Sequence, residues 1–143
     1  MKTKIYILTI IFGFFSSSTL YSQEKEKNSS DKEIIEMLNT FYREYITEND
    51  NMPVNEKKIN LIKKKYCTNN LIEKIKKDDL DYDPLVNAQD ISREWIKTMK
   101  ITKDSKKENA YIVCFTDKYN KTPFCTKLLI LKSKEGFKID KAN

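Results

Sequence analysis

Five aspartates lie within thirteen residues of the chain, in the stretch DDLDYDPLVNAQD at residues 78–90. Clustered carboxylates can bind a cation, share a proton as an acid and a base, or shape a loop. The spacing of Asp79, Asp81 and Asp83 matches the start of a calcium-binding EF-hand loop, but the sixth position is Pro84. An EF-hand needs glycine there, because proline fixes φ at about −65°. We therefore predict no metal site.

Acid–base chemistry would require a carboxylate with a raised pKa. Asp81 or Asp83 would then have to be buried beside apolar groups such as Tyr82 and Trp95. The structural alternative is a corner between a helix and a strand, in which Asp90 caps the turn that follows it. We favour the corner and predict no catalytic residue.

Composition excludes several kinds of catalytic site. The chain contains no histidine and only two glycines. Ser-His-Asp and Cys-His nucleophilic machinery and imidazole-based metal sites are therefore excluded. A glycine-rich phosphate-binding loop is excluded as well, and we expect no cofactor.

The first 22 residues are typical of a secretory signal peptide. Lys2 and Lys4 precede an apolar run over residues 5–15, and small residues follow up to Ser22. The run is shorter than the roughly 20 apolar residues of a membrane-spanning helix. We predict cleavage after Ser22, export to the periplasm or the medium, and no transmembrane segment in the mature chain. Residues 23–29 would be a flexible tether, and residues 30–143 would form one domain.

The charge of the chain alternates along the sequence. Its formal charge of +6 falls to +4 without Lys2 and Lys4. Residues 55–77 are rich in lysine, whereas the charged residues of 78–90 are all acidic. Such blocks usually face one another or lie on solvated surfaces. Together with export, this pattern argues against a nucleic-acid partner.

Apolar residues recur at helical spacing in the first half of the mature chain. Ser30 and Glu33 form a capping box, and the apolar stripe behind it reaches Tyr45. Asn55 and Thr68 are positioned to cap a second and a third helix. We predict three helices whose apolar faces pack on one core.

After the aspartate stretch, apolar residues alternate with polar ones, which predicts strands. Trp95 and Ile101 would share one face of a first strand, although the run from Ile91 to Ile96 could begin as a turn of helix. Residues 111–116 and 123–132 would form a hairpin. The segment FKID near the end would be a fourth strand. We therefore predict an α+β domain, with three N-terminal helices packed on a four-stranded, mostly antiparallel sheet.

The hairpin makes Cys114 and Cys125 a disulfide candidate. A loop over residues 118–121 would set the two residues directly opposite each other, with Cβ atoms about 4.5–5.5 Å apart. Export permits the bond, although two reduced apolar thiols are the alternative. Cys67 is then left over as a buried free thiol. It is not expected to be catalytic, because no imidazole is present to lower its pKa.

Three segments resemble a family of small exported bacterial proteins. They are residues 80–95, with LDYDPLVNAQD and REW, FYREYI at residues 41–46, and KKKYCTNNL at residues 63–71. That family is a domain of unknown function within the nuclear transport factor 2-like superfamily, also called cone-fold or cystatin-like. The resemblance implies a curved sheet wrapped around the first helix, as a cone whose mouth can become a pocket. It implies no enzyme, because fold alone does not fix function.

The first functional hypothesis is a non-catalytic binding module for a protein partner, such as a periplasmic immunity or inhibitor protein. Charged surfaces steer and select partners without supplying chemistry. We expect a partner or ligand to be recognised at the acidic rim, which contains Asp81, Tyr82, Asp83 and Asp90.

Two alternatives stay open. One is a small-molecule ligand inside the cone, with Tyr42, Trp95, Tyr111 and Phe115 as its walls. The other is an enzyme of the cone-fold type that uses one of the rim aspartates with a tyrosine.

Overall fold

The computed structural model describes residues 17–119 and 121–143, with side chains described for residues 26–119 and 121–143. The chain divides into two units between Ser30 and Asp31, and Asp31–Asn143 is compact. Residues 1–16 of the predicted signal peptide lie outside the described residues, and cleavage after Ser22 stays a prediction. Within the described ranges, no helix is long and apolar enough to cross a membrane.

The first helix, α1, spans Ser17–Asn49. The predicted start at Ser30 is therefore wrong. Residues 17–30 contain neither glycine nor proline and include Glu, Lys and Gln, so helical propensity continues past the capping box. Residues 23–29, the predicted tether, are helical here, and their flexibility after processing stays a prediction. The predicted apolar stripe is buried, with Ile34, Leu38, Phe41, Tyr42 and Tyr45 all in the core.

Two shorter helices follow, α2 at Glu56–Tyr66 and α3 at Asn69–Asp78. Both predicted caps are confirmed, because Asn55 accepts a hydrogen bond from Lys58 N and Thr68 accepts one from Leu71 N. Such caps satisfy backbone donors that have no partner within the helix.

A fourth helix, α4, spans Trp95–Thr98. This corrects the prediction that Trp95 lies in a strand and agrees with the alternative of a helical turn. Trp95 N donates to Ser92 O at 3.1 Å and Ile96 N donates to Arg93 O at 3.2 Å, which makes the segment a helical turn. The spacing of four between Trp95 and Met99 suits both a helix and one face of a strand, so the apolar pattern alone was ambiguous.

The sheet has four strands in the order β1-β2-β3-β4. They are Lys100–Lys103, Ala110–Thr116, Pro123–Ser133 and Gly136–Ala142. All three pairings are antiparallel, so the predicted α+β class and the antiparallel sheet are confirmed. Gly136 has a φ of 110° at the β3–β4 turn, a conformation that favours glycine.

The β2–β3 register is the predicted one. It pairs Cys114 with Cys125, and the two sulfurs form a disulfide that links residues 11 positions apart. Cys67 is a buried free cysteine, as predicted.

The core lies between α1 and the sheet and is rich in aromatic rings. Tyr42 of α1 packs on Phe115 of β2, with ring centroids 5.4 Å apart. Trp95 of α4 packs on Phe115 and on Phe124 of β3 at 5.9 and 4.7 Å. Thr68 lies between α2 and α3, and its backbone N–H donates to Ile139 O at 2.9 Å. This bond joins the two helices to β4.

Candidate functional site

The aspartate stretch folds as a tight corner between α3 and α4. Asp79 ends α3 in the left-handed conformation, with a φ of 43°. Asp83 N donates to Ala88 O at 2.9 Å, and Asp83 O accepts from Val86 N and Asn87 N at 3.2 and 2.7 Å. These bonds satisfy the backbone locally. The corner is the predicted one, although α4 separates it from the first strand.

The corner is anchored in the core by its apolar residues. Leu85 and Val86 have no exposed surface. Tyr42 Oη donates to Leu85 O at 2.6 Å, and Thr126 Oγ1 donates to Pro84 O at 2.9 Å. Helix α1 and strand β3 therefore both hold the corner in position.

A tyrosine of α1 meets an aspartate of the corner. Tyr45 Oη donates to Asp83 Oδ2 at 2.5 Å, and Leu85 N donates to Asp83 Oδ1 at 2.9 Å. Tyr45 is only 1% exposed. Burial and then the nearby charge of Asp83 raise the pKa of Tyr45 well above its usual value. The phenol is therefore a protonated hydrogen-bond donor at neutral pH.

A surface groove with a volume of about 330 Å³ opens beside this pair. Its charged lining consists of three carboxylates, Glu56, Asp81 and Asp83, and one ammonium group, Lys63, which leaves a net charge of −2. Lys63 Nζ lies 5.6 Å from the centroid of the Tyr45 ring. The groove is thus acidic in a chain whose formal charge is +6.

The groove also has an exposed apolar wall. Leu80 is 43% and Tyr82 is 42% exposed. Both side chains also line a neighbouring cavity of about 230 Å³ that reaches Leu71 of α3 and Ala142 of β4, so they form a ridge between the two openings. Large apolar side chains exposed together often mark an interaction surface.

Of the predicted binding residues, Asp81, Tyr82 and Asp83 meet at this groove. Asp90 is exposed but does not line it. Asp90 was also expected to cap the turn after it. In that turn it is the Ser92 hydroxyl that accepts a hydrogen bond from a backbone N–H, that of Glu94, at 3.4 Å.

The other three predicted binding residues lie in the core. Tyr42, Tyr111 and Phe115 are 0% exposed and Trp95 is 7% exposed. A side chain with no accessible surface contacts no space that even a water molecule can enter. Tyr42, Trp95 and Tyr111 all belong to the buried hydrophobic core.

The polar end of Tyr111 is occupied as well. Its hydroxyl donates to Asp31 Oδ1 at 2.8 Å, and Asp31 also forms an ion pair of 2.6 Å with Lys103. Burial and the hydrogen bond to Asp31 raise the pKa of Tyr111. This cluster ties α1 to the first two strands.

The groove residues that were not among the predicted site residues include Tyr45, Glu56 and Lys63. Tyr45 was assigned only to the apolar stripe of α1, and the other two belong to the solvated face of α2. No spacing in the sequence relates them to the corner. Among the described residues, no group of three or more histidine, cysteine, aspartate or glutamate side chains is placed to hold a metal ion.

Comparison with known proteins gives one likeness in fold. No family model matches the sequence, and no curated protein matches it. A solved structure of a protein of unknown function from Bacteroides thetaiotaomicron is similar, with a TM-score of 0.70 and 20% sequence identity. The match covers 90% of this chain and 99% of that one. At this identity the likeness concerns the fold alone.

Proposed function

We propose that the chain is an exported, non-catalytic protein-binding module of the kind represented by periplasmic immunity or inhibitor proteins. The observation that supports it is the contrast between interior and surface. Tyr42, Tyr111 and Phe115 have no exposed surface, which leaves no room for a ligand among them. Asp81 and Tyr82 are exposed on a groove. Recognition at the surface is therefore favoured over a ligand held inside.

We also propose that the chain belongs to the nuclear transport factor 2-like superfamily, with the sheet curved around α1 as a cone. It is supported by the order of helices before an antiparallel sheet. It is also supported by the aromatic contact between Tyr42 and Phe115, which packs α1 on the sheet.

The surface chemistry suits a protein partner. Exposed apolar side chains supply buried area on association, and charged groups around them give selectivity. Leu80 and Tyr82 supply the apolar area, and Glu56 and Asp81 supply the charged groups.

Affinity capture with matched variants tests this proposal. A tagged protein is expressed in its host, and the proteins that copurify are compared with those of the double variant Glu56→Gln, Asp81→Asn. The control is Glu73→Gln, because Glu73 is exposed on α3 but does not line the groove. We expect a partner that the double variant loses and the control retains. Capture of nothing above background, or equal capture by all three proteins, contradicts the proposal.

A second candidate, an enzyme that uses an aspartate with a tyrosine, is favoured by one observation, the bond between Tyr45 and Asp83 beside an open groove. Tyr45→Phe keeps the ring and removes the hydroxyl. A host phenotype lost in Tyr45→Phe and Asp83→Asn, but kept when Glu56 and Asp81 are neutralised, would favour the enzyme. The reverse result favours the binding module.

A further inference from the structure

We infer that the groove receives an arginine side chain of the protein partner. The inference rests on the proposed function and specifies the chemistry that the partner must present. It follows from the charge of the groove, the fixed position of the Asp83 carboxylate and the exposed aromatic ring of Tyr82.

Two carboxylates of the groove are free to accept new hydrogen bonds. Within residues 26–119 and 121–143, the side chains of Glu56 and Asp81 form neither a hydrogen bond nor an ion pair. Both residues are exposed. A cationic group that enters the groove can therefore bind them without breaking an existing contact, and charge-assisted hydrogen bonds are stronger than neutral ones.

The third carboxylate is held in a defined position. Asp83 accepts one hydrogen bond at each oxygen, from Tyr45 Oη and from Leu85 N. Each oxygen of an ionised carboxylate can accept two. Asp83 therefore keeps acceptor capacity on both oxygens while its side chain is fixed, which lowers the entropy lost on binding.

The apolar wall favours arginine over lysine. A guanidinium group is planar, stacks on aromatic rings and forms paired hydrogen bonds with carboxylates, whereas an ammonium group is compact and strongly hydrated. Tyr82 offers a half-exposed ring, and Leu80 offers apolar surface to the methylene stem. Charge and stacking are thus available in one groove.

Lys63 is the opposing charge in the same groove. Its ammonium group repels an incoming cation, so its removal should strengthen the binding of arginine. A groove built for an anion would behave in the opposite way, because Lys63 would then be the main attractive charge. The sign of the Lys63 effect therefore separates the two possibilities.

The test uses the protein purified as its host produces it and two fluorescent peptides. One is Ala-Leu-Arg-Leu-Ala with blocked ends, and the other has citrulline in place of arginine, which keeps the shape and removes the charge. Fluorescence anisotropy measures the affinity of each peptide. We expect the arginine peptide to bind tighter by on the order of tenfold, the scale of one charge-assisted hydrogen bond.

Three variants sharpen the result. Neutralising Glu56 and Asp81 together should remove most of the preference for arginine, Lys63→Met should tighten arginine binding several-fold, and Glu73→Gln should change neither peptide's affinity. Equal affinities for the two peptides, no binding of the arginine peptide up to millimolar concentration, or weaker binding by Lys63→Met each overturn the inference. If the peptides are not distinguished but affinity capture still depends on Glu56 and Asp81, the inference fails and the proposed function stands.

Discussion

Tyr45 and Asp83 are 38 residues apart in sequence, and their side chains are joined by a hydrogen bond of 2.5 Å. The bond connects the buried face of α1 with the corner that carries the groove. Tyr45 is only 1% exposed, so the donor side of this bond is shielded from competition by water, and its acceptor is a charged carboxylate. The position of the Asp83 carboxylate in the groove therefore depends on α1.

Tyr45→Phe should lower the free energy of unfolding by about 1.5–3 kcal/mol, the range for a hydrogen bond to a charged group. Urea unfolding measures the change. The matched control is Tyr66→Phe, whose hydroxyl donates to Glu44, a carboxylate with a side chain 37% exposed. We expect a smaller loss there, because water replaces the bond more easily. In a double-mutant cycle, additive losses for Tyr45→Phe and Asp83→Asn would contradict direct coupling.

Alkaline pH should destabilise the fold through three buried phenols. Burial is the first cause of the raised pKa values of Tyr42, Tyr45 and Tyr111, and a nearby aspartate adds to it in each case. Their contribution to stability is complete below the ordinary tyrosine pKa of about 10 and is lost as pH rises above it. An ultraviolet titration should show these phenols ionising only as the protein unfolds. Ionisation of every tyrosine near that pKa, with the fold intact, would refute this.

Asp104 should stabilise the fold at neutral pH and cease to do so in acid. An ion pair with Lys127 and then the backbone N–H of Lys106 lower the pKa of Asp104. A carboxyl group whose pKa is lowered by folding stabilises the folded state at pH values above its ordinary pKa of about 3.9. This stabilisation is lost as pH falls through the pKa of the group in the folded protein. Asp104→Asn should thus unfold at lower urea concentration at neutral pH, and the difference should shrink as pH falls below the ordinary pKa of an aspartate. A difference independent of pH would mean that the ion pair is not the cause.

The cysteines should react in a set order. Cys67 is 3% exposed, and burial raises its pKa to about 12, so the folded protein should not react with a thiol reagent near neutral pH. After denaturation without a reductant, one thiol should appear, and with a reductant all three cysteines of the chain should react. Rapid reaction of the folded protein would contradict the burial of Cys67. Three thiols without reductant would show that Cys114 and Cys125 are not oxidised.

Much of the fold could be predicted because its signals are local. Asn55 and Thr68 cap helices through hydrogen bonds to residues three positions away. The pairing of Cys114 with Cys125 follows from the length of one loop. The start of α1 could not be predicted in the same way, and the helical turn at Trp95 could be given only as an alternative to a strand. A capping box does not end a helix on its N-terminal side when the preceding residues also favour a helix. At Trp95, a spacing of four residues fits the period of a helix as well as that of a strand.

The candidate site was only partly predictable. Asp81, Tyr82 and Asp83 are neighbours in sequence, so any fold would keep them close together. Tyr45, Glu56 and Lys63 reach them from two helices, and that proximity depends on how α1 and α2 pack against the corner. The charge and the shape of the groove therefore exist only in the folded chain.

The sequence by itself determined the absence of imidazole chemistry, the α+β order of elements and the residues of the acidic corner, because these depend on composition and short-range pattern. Only the tertiary structure decided which aromatic residues face open space. Tyr42, Trp95 and Tyr111 have spacings that suit a core as well as a pocket wall, and close packing around them made them core. Tyr82, with the same chemistry, stayed exposed because it lies on the corner, outside that packing.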